Sequence, residues 1–338
     1  MVSEGERLDG SARPALFVMW TAHNSRSEGL AQALHAELLS TPWSHPRQPK
    51  ATKLVAWARS SLTTLRRVRA LPAGALLVVM APPVFAPLVA FLARRGGVAV
   101  AIDMHSGALD DPKWRWSFPL MRSLLRRADA VVATNPEVLR GLDLPGTEVV
   151  LIVDPTLAGG PAIGPSPPSN PPAETVRARP YALFPASGEA DEPIDAVAEA
   201  AARLTGEIDI VVTGRQPARL AGSALQLTGF VSAAEYRRLL AGATLVLALT
   251  TREATNQRAA CEALQNGRPL LCSATRMLRE TYTGAAVFTA PDADAIVAAI
   301  REGVARGEEL RAGIPGVVER LREQARSGVA RLRRLRGN

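Results

Sequence analysis

Aromatic residues make up only 4% of the 338 residues, too few to build a platform on which successive bases could stack. Lysine is nearly absent: of the forty basic residues only Lys50, Lys53 and Lys113 are lysine. The rest are arginine, in a chain rich in alanine, glycine and proline. The net charge of +8 and the pI near 10.4 therefore follow codon usage more than a phosphate-reading surface. Nucleic-acid binding is not expected. The two cysteines, Cys261 and Cys272, stand inside apolar stretches without metal-ligand spacing and read as reduced core thiols in a reducing compartment. No apolar run reaches the ~18 residues of a membrane span, and residues 1–14 lack the basic and apolar regions of a secretory signal. A cytoplasmic protein is expected, with peripheral contact at the inner membrane face left open. No metal-ligand cluster of the Asp-x-Asp kind stands out, so metal-independent chemistry without a cofactor is expected.

What is present is a repeated α/β grammar. Continuously apolar runs at 15–20, 75–80, 98–104, 130–135 and 149–154 read as strands buried on both faces. Helix-period segments separate them at 27–39, 53–70, 84–95 and 119–128. A Pro- and Gly-rich stretch, 159–180, cannot carry regular structure. The grammar then restarts, with strands at 181–186, 208–214, 225–227, 244–250, 269–274 and 285–290 and helices at 194–204, 233–241, 257–266 and 293–305. The expected organisation is an acceptor-side Rossmann-like domain over 1–158, a linker over 159–180, a nucleotide-sugar-binding Rossmann-like domain over 181–314 and a basic helical segment over 315–338. Two parallel-sheet domains of this kind would face across a cleft, where ligands favour the carboxyl ends of the strands.

The most informative stretch is TLVLALTTREATNQRAACEALQNGRPLL, residues 244–271. A buried strand runs into a polar turn, and a helix starts near Thr255 or Asn256, either of which can cap it. The helix N-terminus offers free N–H groups and partial positive charge to a diphosphate. Arg258, in the first turn, opposes the helix dipole unless an anion compensates it; the competing reading is an i,i+4 pair with Glu262. Glu262 can reach back toward a ribose whose diphosphate lies at the turn before Gln257, since helical side chains lean toward the N-terminus.

These residues carry a resemblance. EALQNGRPLL, residues 262–271, resembles the EAMACGxPVI segment of the retaining family-4 GT-B glycosyltransferases, and LTGFVSAAEYRRLLAGATLVLALT, residues 227–250, resembles the stretch upstream of it. The likeness covers most of 181–300 and extends more weakly to the first half. It implies the GT-B fold, a nucleoside-diphosphate sugar as donor, donor ribose on Glu262 and nucleobase contacts from the main chain of Phe230 and Val231. The pattern departs in two places. The first glutamate of the family's Glu-x7-Glu motif falls on Ala254, with Glu253 one position away. The family's Arg…Lys pair is missing from FPASGEADEP, residues 184–193, and Arg215 and Arg258 are the substitutes.

In the first half, His23, Asn24, Ser25 and Arg26 form a polar loop before a helix capped by Ser25 or Ser27, a position for an anionic acceptor or for the diphosphate. Asp103 and His105 end a buried strand two residues apart, on one side of it. The family's corresponding histidine lies at the donor sugar, and in an inverting reaction either residue becomes the candidate base. The loop DDPKWRW, 110–116, has aromatics suited to a sugar. Residues 53–70 combine apolar and basic character, which suits either a core helix with solvated arginines or an anionic membrane surface carrying lipid-linked acceptors. The function expected is glycosyl transfer to a hydroxyl of a saccharide, a lipid-linked saccharide or a small metabolite. The alternatives are a sugar-nucleotide epimerase of the same fold and a non-catalytic partner subunit.

Overall fold

A computed structural model of the chain describes residues 13–41, 50–110, 112–158 and 179–337. The expected linker over 159–180 lies almost wholly outside the described residues. Two compact units divide the rest: one up to residue 159 together with Arg322 onward, the other from 160 to Leu321.

The first unit alternates β1 (Ala15–Met19), α1 (Ser25–Ala33), β2 (Glu37–Ser40), α2 (Lys50–Arg69), β3 (Leu76–Ala81), α3 (Phe85–Ala93), β4 (Ala99–Met104), the short α4 (Gly107–Asp110), α5 (Phe118–Leu125), β5 (Ala130–Ala133) and β6 (Glu148–Leu151). The strands form one sheet in the order β2-β1-β3-β4-β5-β6, with every pairing parallel. β1 and β3 are buried at every position, as a sheet covered on both faces requires.

The helix expected over 27–39 is shorter than its apolar period. It stops at Ala33, His35 turns through the left-handed region (φ 48°), and the residues after it become the edge strand β2. α2 also departs from expectation. Its buried positions include Ser60 and Thr64, whereas Leu54, Val55 and Leu62 are exposed. The polar residues face inward because the indole of buried Trp20 donates a 3.0 Å hydrogen bond to Thr64 Oγ1, which satisfies both groups. Residues expected as the loop 110–116 instead form the end of α4 and a 3-10 turn, Pro112–Ser117.

The second unit runs β7 (Tyr181–Ala186), α6 (Ile194–Arg203), β8 (Asp209–Gly214), β9 (Gln226–Gly229), α7 (Ala233–Gly242), β10 (Leu245–Ala248), α8 (Arg258–Gln265), β11 (Leu270–Ser273), α9 (Arg276–Tyr282), β12 (Ala286–Thr289) and α10 (Ala293–Ala305). Its strand order is β12-β11-β10-β7-β8-β9. This is the doubly wound Rossmann order, in which the first and fourth strands are neighbours and the chain leaves them in opposite directions. α9 escapes the sequence periodicity because it is only seven residues long.

α11 (Gly307–Arg334) is one helix with Pro315 inside it, so the basic segment expected from 315 is the continuation of an element already begun. Up to Leu321 it belongs to the second unit. From Arg322 it belongs to the first, where Arg331 hydrogen-bonds Glu148 Oε1 at 2.7 Å and the Val149 carbonyl at 3.0 Å. Gly328 lies so close to β6 and the residues after it that a Cβ there would sit 2.5 Å from Ile152 Cγ1.

Candidate functional site

In a doubly wound sheet the ligand crevice opens at the carboxyl ends of the two strands where the order reverses. In the second unit these are β7 and β10. The loops that leave them are tied together: Thr250 Oγ1 donates to Asp191 Oδ2 at 2.5 Å and the Thr251 amide to the Asp191 carbonyl at 2.8 Å. The side chain of Arg252 stands 3.4 Å from the other Asp191 oxygen. Asp191 is buried, so this pairing fixes both loops against the sheet.

The loop after β10 delivers α8. The capping position is Gln257, extended at ψ 130°, rather than Thr255 or Asn256. Both expected caps are turned elsewhere. Asn256 Oδ1 accepts a 2.6 Å bond from the Tyr282 hydroxyl, and Thr255 Oγ1 is a buried atom with no hydrogen-bond partner among the described residues. The Gln257 carboxamide donates to the Leu249 carbonyl. No side chain caps the first turn, so its positive end stays available to an anion. The helix closes as expected, with Gly267 at φ 65° and the Arg268 amide reaching the Ala263 carbonyl at 2.9 Å.

Arg258 takes its local partner, Nε donating to Glu262 Oε1 at 2.8 Å. This is the i,i+4 pair, not a free cation at the helix start. The second Glu262 oxygen accepts a 2.6 Å bond from the hydroxyl of Tyr236 on α7. Burial, then the Glu262 charge, raise the Tyr236 pKa, which keeps the phenol a neutral donor. Sequence reasoning missed Tyr236, since 26 residues separate it from Glu262 and no local pattern links them.

After β7, Ser187 and Gly188 present their amides to the Glu192 carboxylate at 2.8 and 2.9 Å, and the Ser187 hydroxyl adds a 2.7 Å bond. Gly188 has φ +78°, and a Cβ there would meet the Arg215 side chain at 2.8–2.9 Å. Arg215, at the end of β8, thus lies over this glycine, exposed. The β7 loop carries no cation of its own, and the neighbouring strand end places Arg215 beside it. Beyond β9, Phe230 is 81% exposed and Val231 half-buried, ahead of the α7 cap where Ser232 accepts from the Glu235 amide.

In the first unit the polar residues form a closed cluster. Arg26 pairs with Asp103 Oδ1 and donates to the Ile152 carbonyl at 3.2 Å. Ser27 Oγ donates to Asp103 Oδ2 at 3.2 Å, and His105 Nε2 lies 3.1 Å from the same oxygen. Burial alone would raise the Asp103 pKa, but the charges of Arg26 and His105 outweigh it and hold the carboxyl far below its usual range. Asp103 is thus fully buried and held ionised by its partners, and one amino group of Arg26 is engaged by it, while Arg26 Nε has no hydrogen-bond partner among the described residues. Of the pair, His105 keeps partial exposure, 22% of its side chain. The cap of α1 is Asn24, accepting from the Ser27 amide at 3.0 Å, rather than Ser25 or Ser27. His23, mostly exposed, meets Glu28 at 2.7 Å.

Two acidic features read otherwise in three dimensions. Glu253, next to the position of the family's first glutamate, accepts from the Arg276 and Met277 amides at 2.6 and 3.3 Å and so supports the first turn of α9, whose cap is Thr275. Asp292-Ala293-Asp294 spells an Asp-x-Asp pattern, but neither carboxylate is set for a metal. Asp292 caps α10 through the Ala295 amide, and Asp294 pairs with Arg203.

Residues 194–335 match the family described as glycosyl transferase-like. No curated protein matches the sequence. Solved structures match over nearly the whole chain. Sucrose-phosphate synthase from Thermosynechococcus elongatus aligns with a TM-score of 0.71 at 14% identity, covering 95% of this chain and 98% of that one. HepE of Anabaena, in complex with UDP-glucose, aligns at 0.68 and 13% identity, covering 94% and 98%. A glycosyltransferase from Rickettsia africae aligns at 0.68 and 12% identity, covering 97% and 100%. The chain has the GT-B fold. Among the described residues no helix is long and apolar enough to cross a membrane.

Proposed function

We propose that this GT-B chain is a glycosyltransferase that moves a sugar from a nucleoside-diphosphate donor, held by the second unit, to a hydroxyl of a saccharide, lipid-linked saccharide or small-metabolite acceptor held by the first. The observation that carries the reading is the Glu262 carboxylate, held at both oxygens beside the uncapped start of α8. A carboxylate fixed in this way still has lone pairs to accept from two vicinal ribose hydroxyls. The bare first turn and the exposed Arg215 supply positive potential for the departing diphosphate, the main electrostatic task of such a transfer. Phe230 and Val231 border the place left for the base. HepE, a relative in fold, is recorded with UDP-glucose, and a uridine nucleotide is the first donor to try.

On the acceptor side the reading rests on His105, the partly exposed member of its cluster, which Ser27 joins to the start of α1, where His23, Asn24 and Ser25 stand. Departure of the nucleoside diphosphate leaves positive charge on the anomeric carbon, and the acceptor hydroxyl supplies the new bond and gives its proton to the His105 imidazole. No metal or cofactor enters the proposal, and full activity in EDTA is the corresponding expectation.

The test is a thermal-shift panel of nucleoside-diphosphate sugars on the whole chain. A ligand at a hundredfold excess over Kd stabilises by about 2.7 kcal/mol. The expected outcome is stabilisation by one donor, reduced by Glu262→Ala, followed by transfer of its sugar to an added acceptor. Epimerised donor without acceptor, or binding without any product, would move the chain to the alternative readings. No shift with any nucleotide would overturn the site.

A further inference from the structure

We propose that the outward face of α2, with Leu92 and Trp116 beside it, is a docking surface for an anionic lipid bilayer. The helix sends Val68 and Leu65 to the core but turns other apolar side chains outward. At ~100° per residue, Leu54, Ala58, Leu62 and Val55 fall within one arc, and Arg59 and Arg66 border it. Ser60, Thr64 and Val68 occupy the other side and are buried. Leu54 is 66% exposed, Val55 51% and Leu62 48%.

The apolar surface does not end with the helix. Trp57 of α2 meets Phe85 of α3 with ring centroids 4.8 Å apart, and Phe85 meets Trp116 at 5.8 Å. Trp116 is 60% exposed. Leu92, two helical turns after Phe85 and on its face, is 72% exposed, the most open leucine of the molecule's described residues. A tryptophan with one apolar and one wet edge suits the headgroup boundary.

The charge fixes the occupant. The sequence of α2, KATKLVAWARSSLTTLRRVR, holds six basic residues and no acidic one. Among these, Arg67 is paired with Glu37, while Arg59 and Arg66 are exposed beside the apolar arc. Arg115, next to Trp116, is exposed as well. Leucines flanked by exposed guanidiniums, on a helix with no carboxylate of its own, match a negatively charged membrane surface: the apolar side chains enter the boundary and the arginines meet lipid phosphates. A second copy of the same face would set arginines against arginines, which weighs against self-association. The inference is independent of the donor site and stands or falls apart from it.

The experiment is co-sedimentation of the whole chain with vesicles of phosphatidylglycerol and phosphatidylcholine, against vesicles of phosphatidylcholine alone. The expected result is binding that needs phosphatidylglycerol and weakens as salt rises from about 0.05 M to about 0.5 M. Leu54→Gln with Leu62→Gln, and separately Arg59→Gln with Arg66→Gln, should each lower partitioning on the order of tenfold. Because all four side chains are exposed, the thermal midpoint should not move, and that measurement separates lost docking from lost folding. Three results overturn the proposal: no binding to phosphatidylglycerol at low salt, binding that neither variant pair weakens, or a concentration-dependent dimer that the leucine variant converts to monomer.

Discussion

The hydroxyl of Tyr236 donates a 2.6 Å hydrogen bond to Glu262 Oε2, joining α7 to α8 across the mouth of the second sheet. With Arg258 on Oε1, the bond sets the plane of the carboxylate before any ligand arrives, so the ordering cost does not fall on binding. Tyr236→Phe removes one hydrogen bond, worth about 0.5–1.5 kcal/mol. The affinity for the best nucleoside diphosphate should fall roughly two- to tenfold in calorimetry. If Glu262 holds the ribose as proposed, the monophosphate should lose the same factor. Unchanged affinity, or a loss confined to the diphosphate, would remove Tyr236 from the positioning role.

The Arg26–Asp103 pair is predicted to be structural and acid-sensitive. Asp103→Asn leaves the Arg26 guanidinium buried without its charge partner, a loss of about 3–5 kcal/mol, readable as a lower urea midpoint for the first unit. The pH dependence has a definite sign. The folded-state pKa lies below the ordinary 3.8, so the native state binds fewer protons than the unfolded one. Its contribution is complete above that value and drains away as the pH falls below it. The wild type should therefore lose stability more steeply than the variant in acid. Parallel curves would contradict the assignment.

Much of this was legible in the sequence, for reasons that particular elements make plain. β1, β3, β4 and β7 are buried on both faces, so their apolar runs announce themselves, and Gly267 with Pro269 marks the end of α8. β2 was hidden because its ELLS continues the apolar spacing of α1, and only the backbone turn at His35 separates them. α2 misled because amphipathic patterning assigns leucines to the core, whereas Trp20 needed Thr64 there. In the site, Glu262 was found because a local motif surrounds it. Tyr236, the Arg26–Asp103 pair and the Gly188–Arg215 contact join distant segments, and no spacing rule reaches them.

Glu253 provides a control for the donor site. Its carboxylate holds two first-turn amides of α9, whose cap is Thr275, so Glu253→Ala should cost about 0.5–1.5 kcal/mol in thermal unfolding, as for a lost hydrogen bond. Donor affinity should stay where it was, since the side chain is committed away from α8. A loss of donor binding matching that of Glu262→Ala would show that Glu253 serves as the family's first glutamate despite its one-residue displacement.

Arg215 and Gly188 make the sharpest test of how a diphosphate could be held without the family's usual cations. The amides after β7 are taken by Glu192, which leaves Arg215, lying over Gly188, as the positive group at that strand end. Arg215→Ala should weaken nucleoside diphosphate more than nucleoside monophosphate, by roughly 1–3 kcal/mol for a charge-assisted bond, and Arg215→Lys should restore part of the difference. Gly188→Ala keeps the charge but intrudes on its resting place, with a Cβ 2.8–2.9 Å from Arg215 carbons and a glycine backbone at φ +78°. It should reproduce the diphosphate-selective loss because the guanidinium is displaced. If both variants lower the two affinities equally, the arginine acts through general surface potential, and the anion of the donor must be held elsewhere.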